Sequence, residues 1–228
     1  EPSNAQECKD YLKLAYEISE KYDTVVLLRS NTRVSHSRGI VELGERTEKD
    51  RIPYEKNIQK YVAMPAMARK LHIAQEQRMD RIAKDTADIT LGMKADAAAG
   101  EAYSLPLNII ELNDTKIGII TSGICYQYVK EVFGDTVSVL KLGIVNPLPN
   151  KLFKDFAAKV DKLYVIEELD GIIESHLKNI GIDCIGKEMF SPIGEYNQTT
   201  IRKAFGLDVP ESVELDTPVP GRPPVMCA

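Results

Sequence analysis

Between residues 115 and 189, short apolar, β-branched runs alternate with amphipathic stretches, and this alternation constrains the chain more than anything else in it. Residues 116–121 (Lys116, Ile117, Gly118, Ile119, Ile120, Thr121) read as a buried strand, 124–133 as a helix and 137–145 as a strand. Residues 152–160 follow as a helix, 163–167 as a strand, 171–180 as a helix and 183–186 as a last short strand. Continuous apolar strands separated by helices of roughly ten residues predict a parallel sheet covered on both faces, because each crossover must lay its helix on one side. Right-handed crossovers then leave few topologies. The predicted fold class is α/β: a mainly parallel twisted sheet with helices on both faces, preceded by a helix and strand remnant and a long helical linker.

The rest of the composition mostly excludes. A chain of 228 residues that is 43% apolar has ample material for one large or two small cores. A net charge of −5, a pI near 5.4 and the absence of any basic block longer than two residues speak against a nucleic-acid surface. No apolar run approaches the roughly 18 residues that a membrane span needs. The opening Glu1, Pro2, Ser3, Asn4 lacks the basic start and apolar core of a secretory leader. Cys8, Cys125, Cys184 and Cys227 are scattered without metal or disulfide spacing, which points to a reducing cytoplasm and to buried small side chains. Because residue 1 is not Met and the chain stops at Ala228 behind a Pro-rich approach, both ends are expected to be cut from something longer.

Taken in order, residues 6–21 carry Cys8, Leu12, Ala15, Tyr16 and Ile18 at helical spacing, with Ser3 or Asn4 as N-cap and Glu7 completing a capping box. Thr24, Val25, Val26, Leu27, Leu28 and Arg29 read as a fully buried strand, half of a parallel unit whose body lies upstream. Residues 30–39 then form the most polar-functional stretch of the chain, placed where open α/β sheets keep their ligand contacts. Arg33, Ser35, His36 and Arg38 suit a phosphate or carboxylate, and His36 suits proton transfer near neutral pH. The plainer reading is an exit loop whose arginines pair with neighbouring acids. A charged helical region follows, with Pro65 in the first turn of a long helix that carries a broken apolar stripe (Leu71, Ile73, Ala74, Met79, Ile82), as expected of a helix that bridges domains or lies on a partner. His72 is read as interfacial or solvent-facing. Residues 92–100 are expected to be a loop, and 104–112 an irregular or extended lead-in to the sheet.

Three strand ends face one edge. Gly123 opens a helix and can present N–H groups to an anion, or serve only tight strand-to-helix packing. Pro147 and Pro149 end one strand and start the next helix. Glu167 and Glu168 suit acid–base work if one is buried, but the commoner use is one capping the next helix and the other meeting a partner surface. His176 is read as surface or interface. A short helix capped near Asn197 closes the folded part, and five prolines between 210 and 224 make an extended tether.

Four passages carry a family likeness: residues 1–7 with the helix after them, 26–45, 146–149 through 165–169, and 222–228 (Arg222, Pro223, Pro224, Val225, Met226, Cys227, Ala228). On these the chain resembles the alpha subunits of the indolepyruvate ferredoxin oxidoreductases, within the thiamine-diphosphate-dependent 2-oxoacid ferredoxin oxidoreductases. The resemblance implies residues 1–45 as the end of a truncated pyrimidine-binding domain, 46–104 as a helical linker, 105–207 as an α/β domain like the C-terminal domain of transketolases, and 208–228 as a Pro-rich linker to a pyrophosphate-binding domain. It implies a parent enzyme that oxidatively decarboxylates aryl pyruvates to acyl-coenzyme A and reduces ferredoxin, with thiamine diphosphate, magnesium and 4Fe-4S clusters, a beta subunit as partner and an oligomeric assembly. Thr32, Arg33, Ser35 and His36 match the family's loop near the cofactor or a subunit interface. Cys227 matches the first cysteine of a Cys-x-Gly-Cys-Pro-His motif, a metal-ligand position. The sequence has no Gly-Asp-Gly with a following Asn-Asn pair and no ferredoxin-like cysteine cluster, so the chain alone is expected to hold none of these cofactors and to be inactive. Two other functions compete: a non-catalytic α/β interaction domain for subunit assembly, and a small-anion or nucleotide binder at Gly123.

Overall fold

The apolar runs of the 115–189 region do build the sheet. The computed structural model describes residues 1–46, 48, 53–87 and 107–211. In it β1 (Asn108–Glu111), β2 (Ile117–Ser122), β3 (Ser138–Leu142) and β4 (Lys162–Ile166) form one sheet in the order β1-β3-β2-β4. β2 is parallel to both β3 and β4, while β1 is antiparallel to β3. The expected extended lead-in is thus an edge strand. The predicted strand at 137–145 stops at Leu142, and that at 183–186 is reduced to one parallel bridge between Ile185 and Tyr164.

Side chains alternate across this sheet as the period of two demands. Ile120, Leu140, Leu142, Leu163 and Val165 face one core, covered by α6 (Asn150–Ala157), α7 (Ile172–Asn179) and the end of α4 (Pro65–Ala87) through Ala87. Ile119, Val139, Tyr164 and Ile166 face the other, under α5 (Ile124–Phe133) and α8 (Gln198–Ala204). Helices on both faces follow from this double burial. Ile119 and Ile120 are both fully buried, each worth about 2–3 kcal/mol of apolar burial. Gly143 is required where β3 leaves the sheet, because a Cβ there would collide with the backbone carbonyl of Leu107.

α1 (Ala5–Tyr22) begins as the sequence predicts. Asn4 is its N-cap and accepts from the Glu7 N–H at 2.9 Å, while the Glu7 carboxylate reaches back to Ser3 N at 2.7 Å. Its far end is tied to α4 by Tyr22, whose hydroxyl donates to Asp85. α4 starts with Pro65 at its first position. Of its apolar stripe Ile82 is buried and Leu71 and Met79 half-buried, but Ile73 and Ala74 face solvent. The helix is therefore anchored mainly by its C-terminal half.

One expectation fails outright. Residues 24–29 form neither a strand nor a buried element: they join no sheet among the described residues, Val25 is 85% and Leu27 90% exposed, and the chain continues into α2 (Thr32–His36), a single helical turn. The run has strand propensity but no neighbouring strand among the described residues to satisfy its backbone, and propensity alone does not make a sheet. A second short helix, α3 (Ile58–Tyr61), precedes α4. The loop expected at 92–100 and the Pro-rich tether beyond 211 lie outside the described residues.

Candidate functional site

β2 lies between β3 and β4, so the connection leaving β2 through α5 and the one leaving β4 through α7 depart on opposite faces. Open α/β sheets place ligands beyond the carboxyl ends of strands at such a reversal. The carboxyl ends of β2 and β4 are Ser122 and Ile166, and the residues after them are Gly123 and the Glu167–Glu168 pair. Gly123 has φ +53° and ψ −140°, a conformation side chains rarely tolerate, and it starts α5 with no side-chain cap. Beside it lies the Glu1 carboxylate, which accepts from Ser122 Oγ at 2.8 Å and pairs with Arg29. The anion at this helix start is one of the chain's own.

The two carboxylates after β4 have separate structural tasks. Glu167 is buried and accepts from the Ile173 and Glu174 amides at 2.9 and 3.0 Å, capping α7. Burial pushes its carboxyl above the usual range, an effect the two amides partly offset. Glu168 accepts from the Tyr196 amide at 2.9 Å and holds the segment before α8. Capping is the expected use of one member; the other accepts from this chain's own Tyr196 amide. Lys187 donates to the Glu167 carbonyl and, at 3.1 Å, to the Tyr196 hydroxyl, and burial lowers its amine. Glu174 accepts from the Lys187 amide at 2.7 Å and from Lys178 at 2.6 Å. His176 sits half-buried with Nε2 2.5 Å from Asn150 Oδ1, and burial lowers its imidazole.

The polar stretch at 30–39 reaches the same edge by a different route from that expected. Asn31 caps α2 by accepting from Val34 N at 2.9 Å, and Val34 is buried. Arg33 donates through Nε and Nη2 to Glu195 Oε2 at 3.0 and 2.6 Å, and this carboxylate raises its guanidinium, with Tyr128 and Glu168 adding to the effect. Thr32, Ser35 and His36 are exposed, with Ser35 Oγ 2.9 Å from Ser30 Oγ. The fold thus brings Arg33 alone of the four to the carboxyl edge and leaves the others facing outward. His72 is exposed and lies 3.2 Å from Glu76 one helical turn on. Cys227 lies outside the described residues.

A cluster that strand reading does not single out lies deeper in the same face. Lys141 in β3 is fully buried and donates to Ser3 Oγ at 3.0 Å and to the Glu7 carboxylate. Its ammonium lies 4.6 Å from the centre of the Tyr126 ring and 5.9 Å from that of Tyr11. Burial lowers the amine and Glu7 works against that fall. Tyr126 in turn donates to Glu111 at 2.5 Å, and burial with that bond pushes its phenol well up. The one available signal was a single lysine inside the apolar run 137–145.

Among the described residues no group of three or more His, Cys, Asp or Glu side chains is arranged to hold a metal ion. Cys8, Cys125 and Cys184 are separate free thiols, and burial raises that of Cys125 furthest. Among the described residues these three thiols are not grouped as ligands of one iron–sulfur cluster. Nor is any helix of the described residues long and apolar enough to cross a membrane.

The class defined by this architecture is the α/β domain with a mixed, mostly parallel four-stranded sheet. No family model matches the chain. Along its full length it is 35% identical to the indolepyruvate oxidoreductase subunit IorA of Archaeoglobus fulgidus, 34% to that of Pyrococcus horikoshii and 33% to that of Methanothermobacter thermautotrophicus. The similarity covers the whole of this chain, which spans 37% of the length of these relatives. A solved 2-oxoglutarate:ferredoxin oxidoreductase from Magnetococcus marinus is weakly similar, with a TM-score of 0.44 and 17% identity over 63% of this chain and 23% of that one.

Proposed function

We propose that the chain is the middle section of the alpha subunit of an indolepyruvate ferredoxin oxidoreductase, an enzyme that converts an aryl pyruvate and coenzyme A to acyl-coenzyme A and carbon dioxide. The two electrons released pass to ferredoxin. The observation that carries this reading is the 33–35% identity, covering the whole chain, to subunits of that name. When bound, thiamine diphosphate with magnesium supplies the carbon nucleophile and electron sink of such chemistry. In this reading the thiamine diphosphate and magnesium are held by other parts of the assembly, and the 4Fe-4S clusters are completed there. Residues 1–45 close a pyrimidine-binding domain, 46–104 link it to the α/β domain of 105–207, and 208–228 lead to a pyrophosphate-binding domain. Thr32, Arg33, Ser35 and His36 then approach the cofactor or the beta subunit, and Cys227 opens a cluster-binding motif. The site of action in this reading is the cytoplasm.

Full-length protein with its beta subunit and loaded clusters is expected to reduce ferredoxin when given indolepyruvate and coenzyme A, and the 228-residue chain alone is expected not to. Absence of ferredoxin reduction by the loaded full-length complex refutes the reading. A second reading, an α/β module whose role is assembly, is favoured by the apolar side chains that residues 25–43 leave in solvent: Val25, Leu27, Ile40 and Leu43 are 77–97% exposed. It predicts that the chain self-associates or captures the beta subunit with no cofactor present.

A further inference from the structure

Lys141 occupies a position where a strand inside a sheet ordinarily carries an aliphatic side chain. It lies between Leu140 and Leu142 on β3, which is flanked by β1 and β2, and it is fully buried. An ammonium removed from water requires a counter-charge and hydrogen-bond acceptors. Both of its acceptors, Ser3 Oγ and the Glu7 carboxylate, come from the N-terminal segment, 138 and 134 residues away in sequence. That segment is tied to the sheet domain at further points. Ser3 Oγ also accepts from Gln127 of α5 at 3.0 Å, and Glu1 joins Ser122 at the end of β2 to Arg29, just ahead of α2. Arg33 of α2 is then held on Glu195. Three sets of polar contacts, joined by the backbone between Glu1 and Ser3 and between Arg29 and Arg33, therefore run from the middle of β3 to the carboxyl edge.

We propose that Lys141 and Glu7 form a register lock: the pair fixes α1 in one seating on the sheet, and through Glu1 and Arg29 that seating places residues 29–36 at the carboxyl edge. Apolar contact alone would hold a helix with latitude to slide, whereas a buried ion pair shared with Ser3 has one geometry. Lys141 and Glu7 are positioning residues. The purpose of the lock rests on the proposed approach of residues 32–36 to the cofactor; its geometry does not.

The test uses the 228-residue chain, with acetic anhydride as the lysine probe and backbone hydrogen exchange as the second readout. Lys141 is expected to acetylate at least about a hundredfold more slowly than the exposed Lys116 and Lys159. Glu7→Ala is expected to raise both Lys141 labelling and exchange in residues 5–22 and 29–36 by about tenfold, leaving β2 and β4 unchanged. In the double variant Lys141→Met with Glu7→Leu, apolar side chains replace the pair, so thermal stability is expected to return while exchange in 29–36 stays raised. Should Glu7→Ala fail to fold, the double variant decides. Wild-type Lys141 labelling at the surface rate, exchange rising equally in β2 and β4, or wild-type exchange of 29–36 in the double variant would each overturn the lock. Failure of ferredoxin reduction would strike the proposed function and leave these outcomes untouched.

Discussion

Residues 24–29 and 116–121 are two apolar, β-branched runs of nearly the same character with opposite fates. Ile119 and Ile120 are fully buried, paired on one side with Val139 and Leu140 and on the other with Tyr164 and Val165. Val25 and Leu27 are 85% and 90% exposed and pair with no strand among the described residues. Local sequence does not separate the two runs. What separates them is whether other strands lie within hydrogen-bonding distance, since a strand is stabilised through cross-strand pairs and shared burial rather than by itself.

The strongest way to break that comparison is to remove the neighbours. Gly143→Ala drives a Cβ into the Leu107 carbonyl at the β3–β1 junction, and urea denaturation is expected to show a loss of about 4 kcal/mol or more, or no cooperative transition at all. A smaller loss would mean that β1 peels away freely. Next in size, Ile120→Ala is expected to cost about 3–4 kcal/mol through the cavity it leaves, while Leu27→Ala in the same assay changes stability by less than about 0.5 kcal/mol. Equal effects at the two positions would end the contrast.

A third test sharpens the contrast through charge. Burial alone would raise the Glu174 carboxyl, but Lys178 and the Lys187 amide outweigh it and hold the group below the usual range. A depressed folded-state pKa means that the carboxylate contributes stability above its unfolded value, and that the contribution is lost as pH falls through the folded value. Glu174→Gln is therefore expected to be less stable than wild type at pH 7, with the two chains converging only as pH falls below the usual carboxylate range in pH-dependent melting. A gap independent of pH would rule out this role. The smallest expected effect belongs to the solvent-side tie: Arg33 and Glu195 are both more than half exposed, so Arg33→Ala should cost no more than about 1 kcal/mol, and less in high salt. A large loss there would show residues 29–36 to be integral to the fold of the chain.

Much of the fold was legible because its signals are local. The capping box at Asn4 and Glu7, Pro65 at a helix start, Asn197 as N-cap and the alternation from 116 to 166 all act within a few residues or along a strand's own period. The site was legible only in part. Glu167 as a cap could be read from its position ahead of a helix, but the pairing of Arg33 with Glu195 spans 162 residues and leaves no periodic trace. Lys141 escaped notice because binary patterning treats a lone lysine in an apolar run as noise. Its meaning depends on Ser3 and Glu7, and only the folded chain brings them to it.

By itself the sequence determined the secondary structure of the α/β domain, its two-faced burial and its kinship, since hydrophobic periodicity and residue identity are written along the chain. Only the tertiary structure decided that residues 24–29 join no sheet among the described residues, that the anion beside Gly123 is Glu1, and that a lysine can lie inside the sheet. Each of these turns on groups distant in sequence, whose separation in space is set by packing and by the need to satisfy buried charge.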